Sequence, residues 1–139
     1  MDKLDQLFQM QQLLNDDIIE KRKISPLSDV EWMQKYLLAM LSEMAELLEE
    51  INYKWWKNPK PLNEQAVKEE LIDILHFYLS LCLKSGMTAE ELFSIYKGKN
   101  QENFDRQSGR SKKEGYCVET ETINESSGNG EKESGKTEK

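Results

Sequence analysis

The chain has 139 residues, 32% of them charged, and carries a formal net charge of −7. This length suits one domain with one modest core. Because duplex binding needs a basic face that neutralises phosphates, so acidic a chain is a poor candidate for general nucleic-acid binding. A small anionic substrate that arrives with cations is not excluded.

Targeting and redox features of the sequence predict a cytoplasmic protein with no membrane partner. The N-terminus carries no charged and then apolar leader, and no run of about 18 apolar residues occurs in the chain. Cys82 lies in an apolar run and Cys117 near a polar tail, so both are expected to remain reduced thiols.

Apolar residues at helical spacing predict a first helix from Leu4 to Ile19 and a second from a cap at Ser28 or Asp29 to about Tyr53. Pro26 separates the two, because proline disfavours helical geometry at the residue before it. The second helix carries an apolar stripe that we expect to face the core: Leu37, Leu41, Met44, Leu48 and Ile51.

Two prolines, Pro59 and Pro61, impose a loop before the third predicted helix. That helix runs from Glu64 to about Lys84, and it is capped by Asn63 and ended by Gly86.

A capping box, Thr88-Ala89-Glu90-Glu91, opens a fourth helix that fades near Gln107. No alternating strand pattern of useful length occurs in the sequence. The prediction is therefore an all-α bundle of four to five helices in a domain of residues 1–117. Residues 118–139 contain almost no apolar side chains, which predicts a disordered polar tail.

The third helix is apolar around most of its circumference, yet it carries three ionisable residues at i, i+3 and i+6: Glu70, Asp73 and His76. Glu70 falls inside the apolar sector of the helical wheel, between Phe77 and Leu81. Because a lone buried carboxylate is costly to desolvate, Glu70 requires either a Lys or Arg partner from another helix or a metal ion.

The second helix carries an acidic stripe, formed by Glu43, Glu46 and Glu50, which taken alone is typical of a solvated face. Facing helices of a bundle, however, build metal sites from carboxylates at i, i+3, and all-oxygen ligation suits Mg²⁺ or Mn²⁺. His76 keeps a di-iron site open, although neither helix carries the Glu-x-x-His pattern of such sites.

Glu43-Met-Ala-Glu46, a gap of 23 residues and then Glu70-Leu-Ile-Asp73 resemble the E-x-x-E and E-x-x-D pattern of the all-α nucleoside triphosphate pyrophosphohydrolases. That superfamily includes MazG-like enzymes, dCTP pyrophosphatases and the dimeric dUTPases. Further stretches resemble the dimeric dUTPase branch: Tyr53–Lys57, Asp73–Phe77, and Lys99–Gln107 followed by Gly115-Tyr116. The chain departs from that branch in an additional basic stretch whose role the sequence does not define: Arg110, Lys112 and Lys113.

This resemblance implies that Glu43, Glu46, Glu70 and Asp73 hold Mg²⁺, or Mn²⁺, against a triphosphate, and that Glu46 orients or deprotonates the attacking water. It also implies a set of substrate-binding residues: Gln12, Asn15, Trp56, Lys57, His76, Lys99, Asn103 and Arg106. Amides supply donors and acceptors for a base edge, tryptophan offers a stacking face, and Lys and Arg bind phosphates. The alternatives are a core role for the tryptophan, a solvated helix face for the polar residues and a packed, hydrogen-bonded histidine.

The resemblance thus predicts Mg²⁺-dependent hydrolysis of dUTP to dUMP and pyrophosphate. Four short helices bury little surface alone, so a homodimer is expected. A dCTP or broad-specificity NTP pyrophosphohydrolase of the same fold is the first alternative. A non-catalytic helical interaction protein, whose acidic stripes diverge and face water, is the alternative from another class.

Overall fold

The computed structural model describes residues 1–118 of the chain. Within them the only regular elements are four helices: α1 (Lys3–Lys21), α2 (Asp29–Glu50), α3 (Glu64–Lys84) and α4 (Ala89–Gln107). The predicted all-α class is therefore confirmed. The predicted tail lies outside the described residues, apart from Val118.

The helix starts follow from side chains that satisfy free backbone N–H groups in the first turn. Ser28 rather than Asp29 caps α2: its hydroxyl accepts from the Glu31 N–H at 3.2 Å, and the Glu31 carboxylate accepts from the Ser28 N–H at 2.8 Å. Asn63 caps α3 by accepting from the Ala66 N–H at 3.1 Å. These caps fix where α2 and α3 begin.

The end of α2 differs from the predicted end near Tyr53, because Asn52 adopts a left-handed conformation with φ of +58°. The backbone then closes as a Schellman turn, in which Tyr53 N–H donates to the Leu48 carbonyl and Asn52 N–H donates to the Glu49 carbonyl. Asparagine tolerates this conformation better than most residues. The α2 helix therefore ends at Glu50.

The loop between α2 and α3 is closed at its neck by the same asparagine. The Asn52 amide donates to the Lys60 carbonyl at 2.9 Å and accepts from the Lys60 N–H at 3.0 Å. We call residues 52–60 the Trp loop, since Trp55 and Trp56 lie in it. Its two ends are held together although it has no regular secondary structure.

The small core lies where α3 meets α1 and the start of α4. Its buried members are Phe8, Leu79, Cys82 and Ala89. Half-buried apolar residues surround them: Leu4, Leu75, Leu83, Met87 and Leu92. Since α3 packs against both α1 and α2, it is the central helix of this part of the chain, as its apolar circumference predicted.

The expectation that the apolar stripe of α2 faces the core is wrong for the single chain. Leu37, Leu41, Met44, Leu48 and Ile51 are each between 43% and 53% exposed. The neighbouring row turns inward instead, with Tyr36 buried and Met40, Glu43 and Leu47 half-buried. Two rows at helical spacing lie side by side on α2, and packing against α3 selects the row that contains a glutamate.

The chain forms two compact units, Met1–Lys99 and Asn100–Lys139, and their boundary falls within α4. The described part of the second unit, residues 100–118, is held by polar contacts of its own. Ser111 donates to the Glu102 carboxylate at 2.6 Å, and Arg110 pairs with Asp105 at 3.2 Å. Among residues 1–118 no helix is long and apolar enough to cross a bilayer.

Candidate functional site

Three of the four predicted carboxylates converge between α2 and α3. One carboxylate oxygen from each of Glu43, Glu46 and Glu70 lies within 4.8 Å of the other two. The i, i+3 spacing puts Glu43 and Glu46 on one face of α2, and the packing of α3 against that helix brings Glu70 to them. We call Glu43, Glu46, Glu70 and the adjacent Asp73 the acidic site.

Asp73 lies one turn beyond Glu70 and joins this site electrostatically. Its charge contributes to the raised pKa of both Glu43 and Glu70, and it lines the same cavity as Glu43. Its side chain is more exposed than that of Glu43. Asp73 is not part of the cluster whose oxygens lie within 4.8 Å of one another, so the other three carboxylates form the centre of the acidic site.

The acidic site contains buried carboxylate oxygens that have no partner in the described part of the chain. Within the described chain, one oxygen of Glu43 and one of Glu70 are buried without a hydrogen-bond partner. None of the four carboxylates forms an ion pair with a Lys or Arg among residues 1–118. The ion-pair interpretation of Glu70 thus finds no support there.

Burial and crowding raise the pKa of two carboxylates of the acidic site. Desolvation is the largest effect that raises the pKa of Glu43 to about 7, followed by a hydrogen bond to Glu46 and the charges of Glu46 and Asp73. Desolvation and the charge of Glu46 also raise the pKa of Glu70. Crowded, partly buried carboxylates of this kind fit a hard divalent cation such as Mg²⁺ or Mn²⁺, which accepts only oxygen ligands readily.

A cavity of about 480 Å³ opens beside the acidic site, with Glu43 and Asp73 in its wall. Its remaining wall is mostly apolar and aromatic: Leu14, Ile18, Ile19, Ile24, Trp32, Tyr36 and Phe77. Trp32 and Tyr36 stack with ring centres 5.3 Å apart, and Tyr36 lies 6.5 Å from Phe77. The volume and the flat apolar walls suit a small aromatic ligand.

Three polar side chains complete the wall of the cavity: Gln11, Asn15 and His76. Gln11 and Asn15 are only 5% and 7% exposed. The Gln11 amide donates to Asn15 Oδ1 at 2.9 Å, and its own oxygen lies 2.5 Å from His76 Nδ1. His76 therefore contacts Gln11, not the carboxylates, which agrees with a hydrogen-bonded histidine.

Among the residues implied by resemblance, Asn15 and His76 line the cavity and Gln12 does not. The Gln12 amide instead donates to Asp16 one turn along α1, at 2.8 Å. Gln11 occupies the cavity wall next to Asn15. The signal for Gln11 was available in the sequence, because Leu4, Phe8, Gln11 and Asn15 follow one inward-facing row on α1.

Trp56 and Lys57 belong to the Trp loop and do not line the cavity. Trp56 is 59% exposed and packs edge-on against Tyr53 and Trp55, with ring centres 6.3 and 5.6 Å apart. Lys57 is exposed. The aromatic wall of the cavity comes instead from Trp32 and Tyr36, which sequence reasoning missed although they lie four residues apart on α2.

The C-terminal residues implied by resemblance fall on both sides of the unit boundary. Lys99 is exposed at the end of the first unit. Asn103 and Arg106 belong to the second unit, where the Arg106 side chain pairs with Glu102 at 3.3 Å and lies 5.4 Å from the Tyr116 ring centre. Their role in substrate binding stays a prediction.

Comparison with known proteins finds similarity over part of the chain. A family model described as dUTPase matches residues 3–88. A dCTP pyrophosphatase of Enterobacteria phage T4 is 36% identical over 85 residues, which are 51% of this chain and 50% of the relative. A dCTP pyrophosphatase of Enterobacteria phage LZ5 is 41% identical over 58 residues, covering 42% and 34% of the two chains.

A third relative is a DNA replication protein of Enterobacteria phage T4, 34% identical over 79 residues that make up 47% of this chain and 20% of that protein. The chain thus spans half or less of the length of the curated relatives that it matches. No solved structure matches the chain significantly. The matched residues 3–88 include Glu43, Glu46, Glu70 and Asp73, and they end before α4.

The raised pKa of Glu43 makes a prediction about stability and pH. Because the folded chain binds the Glu43 proton more tightly than the unfolded chain does, protonation of Glu43 stabilises the folded state. This stabilisation is complete below about pH 4.5 and is lost as pH rises through about 7. We expect the Tm of the protein in chelator to fall across that range. In Glu43→Gln the fall in Tm should be clearly smaller. Thermal melts in which the Tm of both proteins falls equally with pH would contradict this prediction.

Proposed function

The chain belongs to the dUTPase family, and from this membership we propose that it hydrolyses dUTP to dUMP and pyrophosphate. The observation that carries this proposal is the meeting of three carboxylates, two of which have a buried oxygen without a hydrogen-bond partner among residues 1–118. One of the three, Glu43, lines a cavity that also presents amide and imidazole groups. The part of the cavity beside the carboxylates suits a metal-bound polyphosphate, and the part with the amide and imidazole groups suits a base.

We infer that Glu43, Glu46, Glu70 and Asp73 hold Mg²⁺, with Mn²⁺ as a substitute. When bound, the ions neutralise a triphosphate that carries about four negative charges. The protein contributes the fixed geometry of α2 and α3, which holds the carboxylates together despite their mutual repulsion.

Within the acidic site, Glu46 is the proposed catalytic base. Its side chain is the most exposed of the three converging carboxylates, so a water molecule can reach it. Glu46 orients this water and takes up its proton as the water oxygen attacks phosphorus. The bond between the α and β phosphate groups breaks, and pyrophosphate leaves.

The base lies against the aromatic wall in this proposal. Trp32, Tyr36 and Phe77 offer stacking surface, and Gln11, Asn15 and His76 offer hydrogen bonds to the base edge. Trp56, Lys57, Lys99, Asn103 and Arg106 are further proposed substrate contacts, which rest on the resemblance.

The free thiols Cys82 and Cys117 are in keeping with the proposed cytoplasmic location.

A dCTP pyrophosphohydrolase is the second candidate, because two phage relatives are named dCTP pyrophosphatases. Uracil and cytosine are the same size and differ in donors and acceptors along one edge, so the same cavity can accept either. A non-catalytic helical interaction protein is disfavoured, because its acidic stripes would diverge whereas these converge.

The nucleotide preference is tested by a panel of deoxy- and ribonucleoside triphosphates with Mg²⁺, measuring pyrophosphate release. We expect pyrimidine deoxynucleotides to be hydrolysed best, with dUTP first, because the cavity is small and its polar wall suits one base edge. Preferential turnover of dCTP would contradict the dUTP proposal and support the dCTP pyrophosphohydrolase. Absence of turnover with every triphosphate would contradict the enzyme proposal.

The acidic site is tested by Glu70→Gln, with Glu69→Gln as the matched control on the exposed side of the same turn. We expect Glu70→Gln to lose nearly all turnover and to keep or raise its Tm in chelator, because a neutral isostere relieves charge repulsion. Added Mg²⁺ should raise the Tm of the wild type more than that of the variant. A loss of roughly 3–5 kcal/mol of stability in Glu70→Gln would instead indicate a broken ion pair.

A homodimer is part of the proposal, because the apolar stripe of α2 is exposed in the single chain. Its residues recur at alternating intervals of four and three, which is the spacing of a helix that packs against another helix. A row of five large apolar side chains is unusual on a surface that faces only water. A second copy of the chain covers this row in our proposal.

Light scattering at micromolar concentration tests the dimer. We expect the wild type to have twice the mass of one chain, and Leu41→Lys to shift towards the monomer because a charge would be buried between two helices. Leu38→Lys, also on α2 but outside the apolar stripe, serves as the control and should stay dimeric. A monomeric wild type would refute the dimer.

A further inference from the structure

Ser80 lies behind the polar wall of the cavity and contacts that wall without lining the cavity itself. It is the most deeply buried side chain of the described part, with 1% exposure. Its hydroxyl donates to the His76 carbonyl one turn back, at 2.8 Å. The same oxygen accepts from Asn15 Nδ2 at 3.0 Å, across the contact between α3 and α1.

These contacts continue through Asn15 and Gln11 back to His76. Gln11 Nε2 donates to Asn15 Oδ1 at 2.9 Å, and Gln11 Oε1 faces His76 Nδ1. We call Ser80, Asn15, Gln11 and His76 the relay. Three of its members line the cavity, whereas Ser80 does not.

The direction of every hydrogen bond in the relay follows from its first link. A backbone carbonyl can only accept, so the single hydrogen of the Ser80 hydroxyl is committed to His76. Ser80 can therefore only accept from Asn15, which turns the Asn15 amide nitrogen towards it and the Asn15 oxygen towards Gln11. The Gln11 nitrogen must then face Asn15, and the Gln11 oxygen must face His76.

The last link fixes the imidazole. Because Gln11 Oε1 only accepts, His76 Nδ1 must carry a proton, and in the neutral ring Nε2 is left as an acceptor. Two amides and one imidazole thus present a defined order of donors and acceptors to the cavity. Without the Ser80 hydroxyl, the amides of Asn15 and Gln11 could turn over and reverse that order.

We propose that Ser80 is a positioning residue that sets the direction of the relay and thereby the discrimination between uracil and cytosine. The two bases differ at ring positions 3 and 4: uracil donates and then accepts, and cytosine accepts and then donates. An amide fixed in one direction satisfies one of these edges and leaves an unpaired polar group against the other. The choice between bases rests on the proposed function, whereas the direction of the relay does not.

The direction of the relay is tested without turnover. His76 is the only histidine in the sequence, so its two ring nitrogens can be assigned unambiguously by ¹⁵N nuclear magnetic resonance of the full chain. In neutral His76 we expect the Nδ1–H tautomer in the wild type and a substantial population of the Nε2–H tautomer in Ser80→Ala. An Nε2–H ring in the wild type, or an unchanged ring in Ser80→Ala, would overturn the proposal.

Ser85→Ala is the matched control, because the Ser85 hydroxyl makes the same kind of bond to its own helix, donating to the Cys82 carbonyl at 2.7 Å. Among the described residues, the Ser85 hydroxyl accepts no hydrogen bond from a side chain on another helix. This variant should therefore keep the wild-type tautomer. Ser80→Cys is a second variant, close in size to serine but with a thiol that is only a weak donor and acceptor, and in it we also expect the Nε2–H tautomer to gain population. It keeps the test decisive if Ser80→Ala does not fold.

The discrimination is tested by kcat/KM for dUTP and dCTP. We expect the ratio to move towards unity by about tenfold in Ser80→Ala, mainly through KM, and Ser80→Thr to restore it through its hydroxyl. A Ser80→Ala ratio equal to the wild-type ratio would refute the role in discrimination. A wild type that hydrolyses no triphosphate would refute the proposed function instead, and the resonance experiment would still decide the direction of the relay.

Discussion

The packing of α3 against α2 forces like charges together, and the rest of the site depends on this contact. Glu43 and Glu46 occupy one face of α2, and Glu70 enters from an apolar sector of α3. Isolated helices would separate these groups, because repulsion and desolvation both oppose their approach. The helices nevertheless bury one oxygen each of Glu43 and Glu70 that has no hydrogen-bond partner among the residues that the structure describes. In the proposed function a cation completes the site and offsets this cost.

The cavity combines two chemically different ends within a single unit. Glu43 and Asp73 lie in the same wall as the stacked rings of Trp32 and Tyr36, and the amides of Gln11 and Asn15 face the same space. A nucleotide has the same division between an anionic end and a flat, hydrogen-bonding end. The relay shows how a helix contact can carry specificity, because a buried hydroxyl on α3 orients amides on α1 without lining the cavity.

The exposed apolar stripe of α2 and the acidic site both follow from the way in which α2 packs against α3. The inward row of α2 includes Glu43, and the purely apolar row beside it lies on the surface. A helix that turns a functional carboxylate inward must turn other side chains outward, since the two rows are adjacent around one axis. In the proposed dimer, a second chain buries the row that the acidic site displaces. The site and the proposed interface are therefore two consequences of one rotation of α2.

The sequence by itself determined the helices and most of the acidic site. Caps, prolines and glycines act locally, so the bounds of α3 and the start of α2 were predictable, as was the i, i+3 pairing of Glu43 with Glu46. The rotation of each helix about its axis could not be predicted, because several rows of side chains can turn inward and only packing selects one of them. That selection placed Gln11 rather than Gln12 in the cavity wall and left Leu41 exposed. Tertiary structure alone decided it, since burial is a property of the neighbouring helix as much as of the residue.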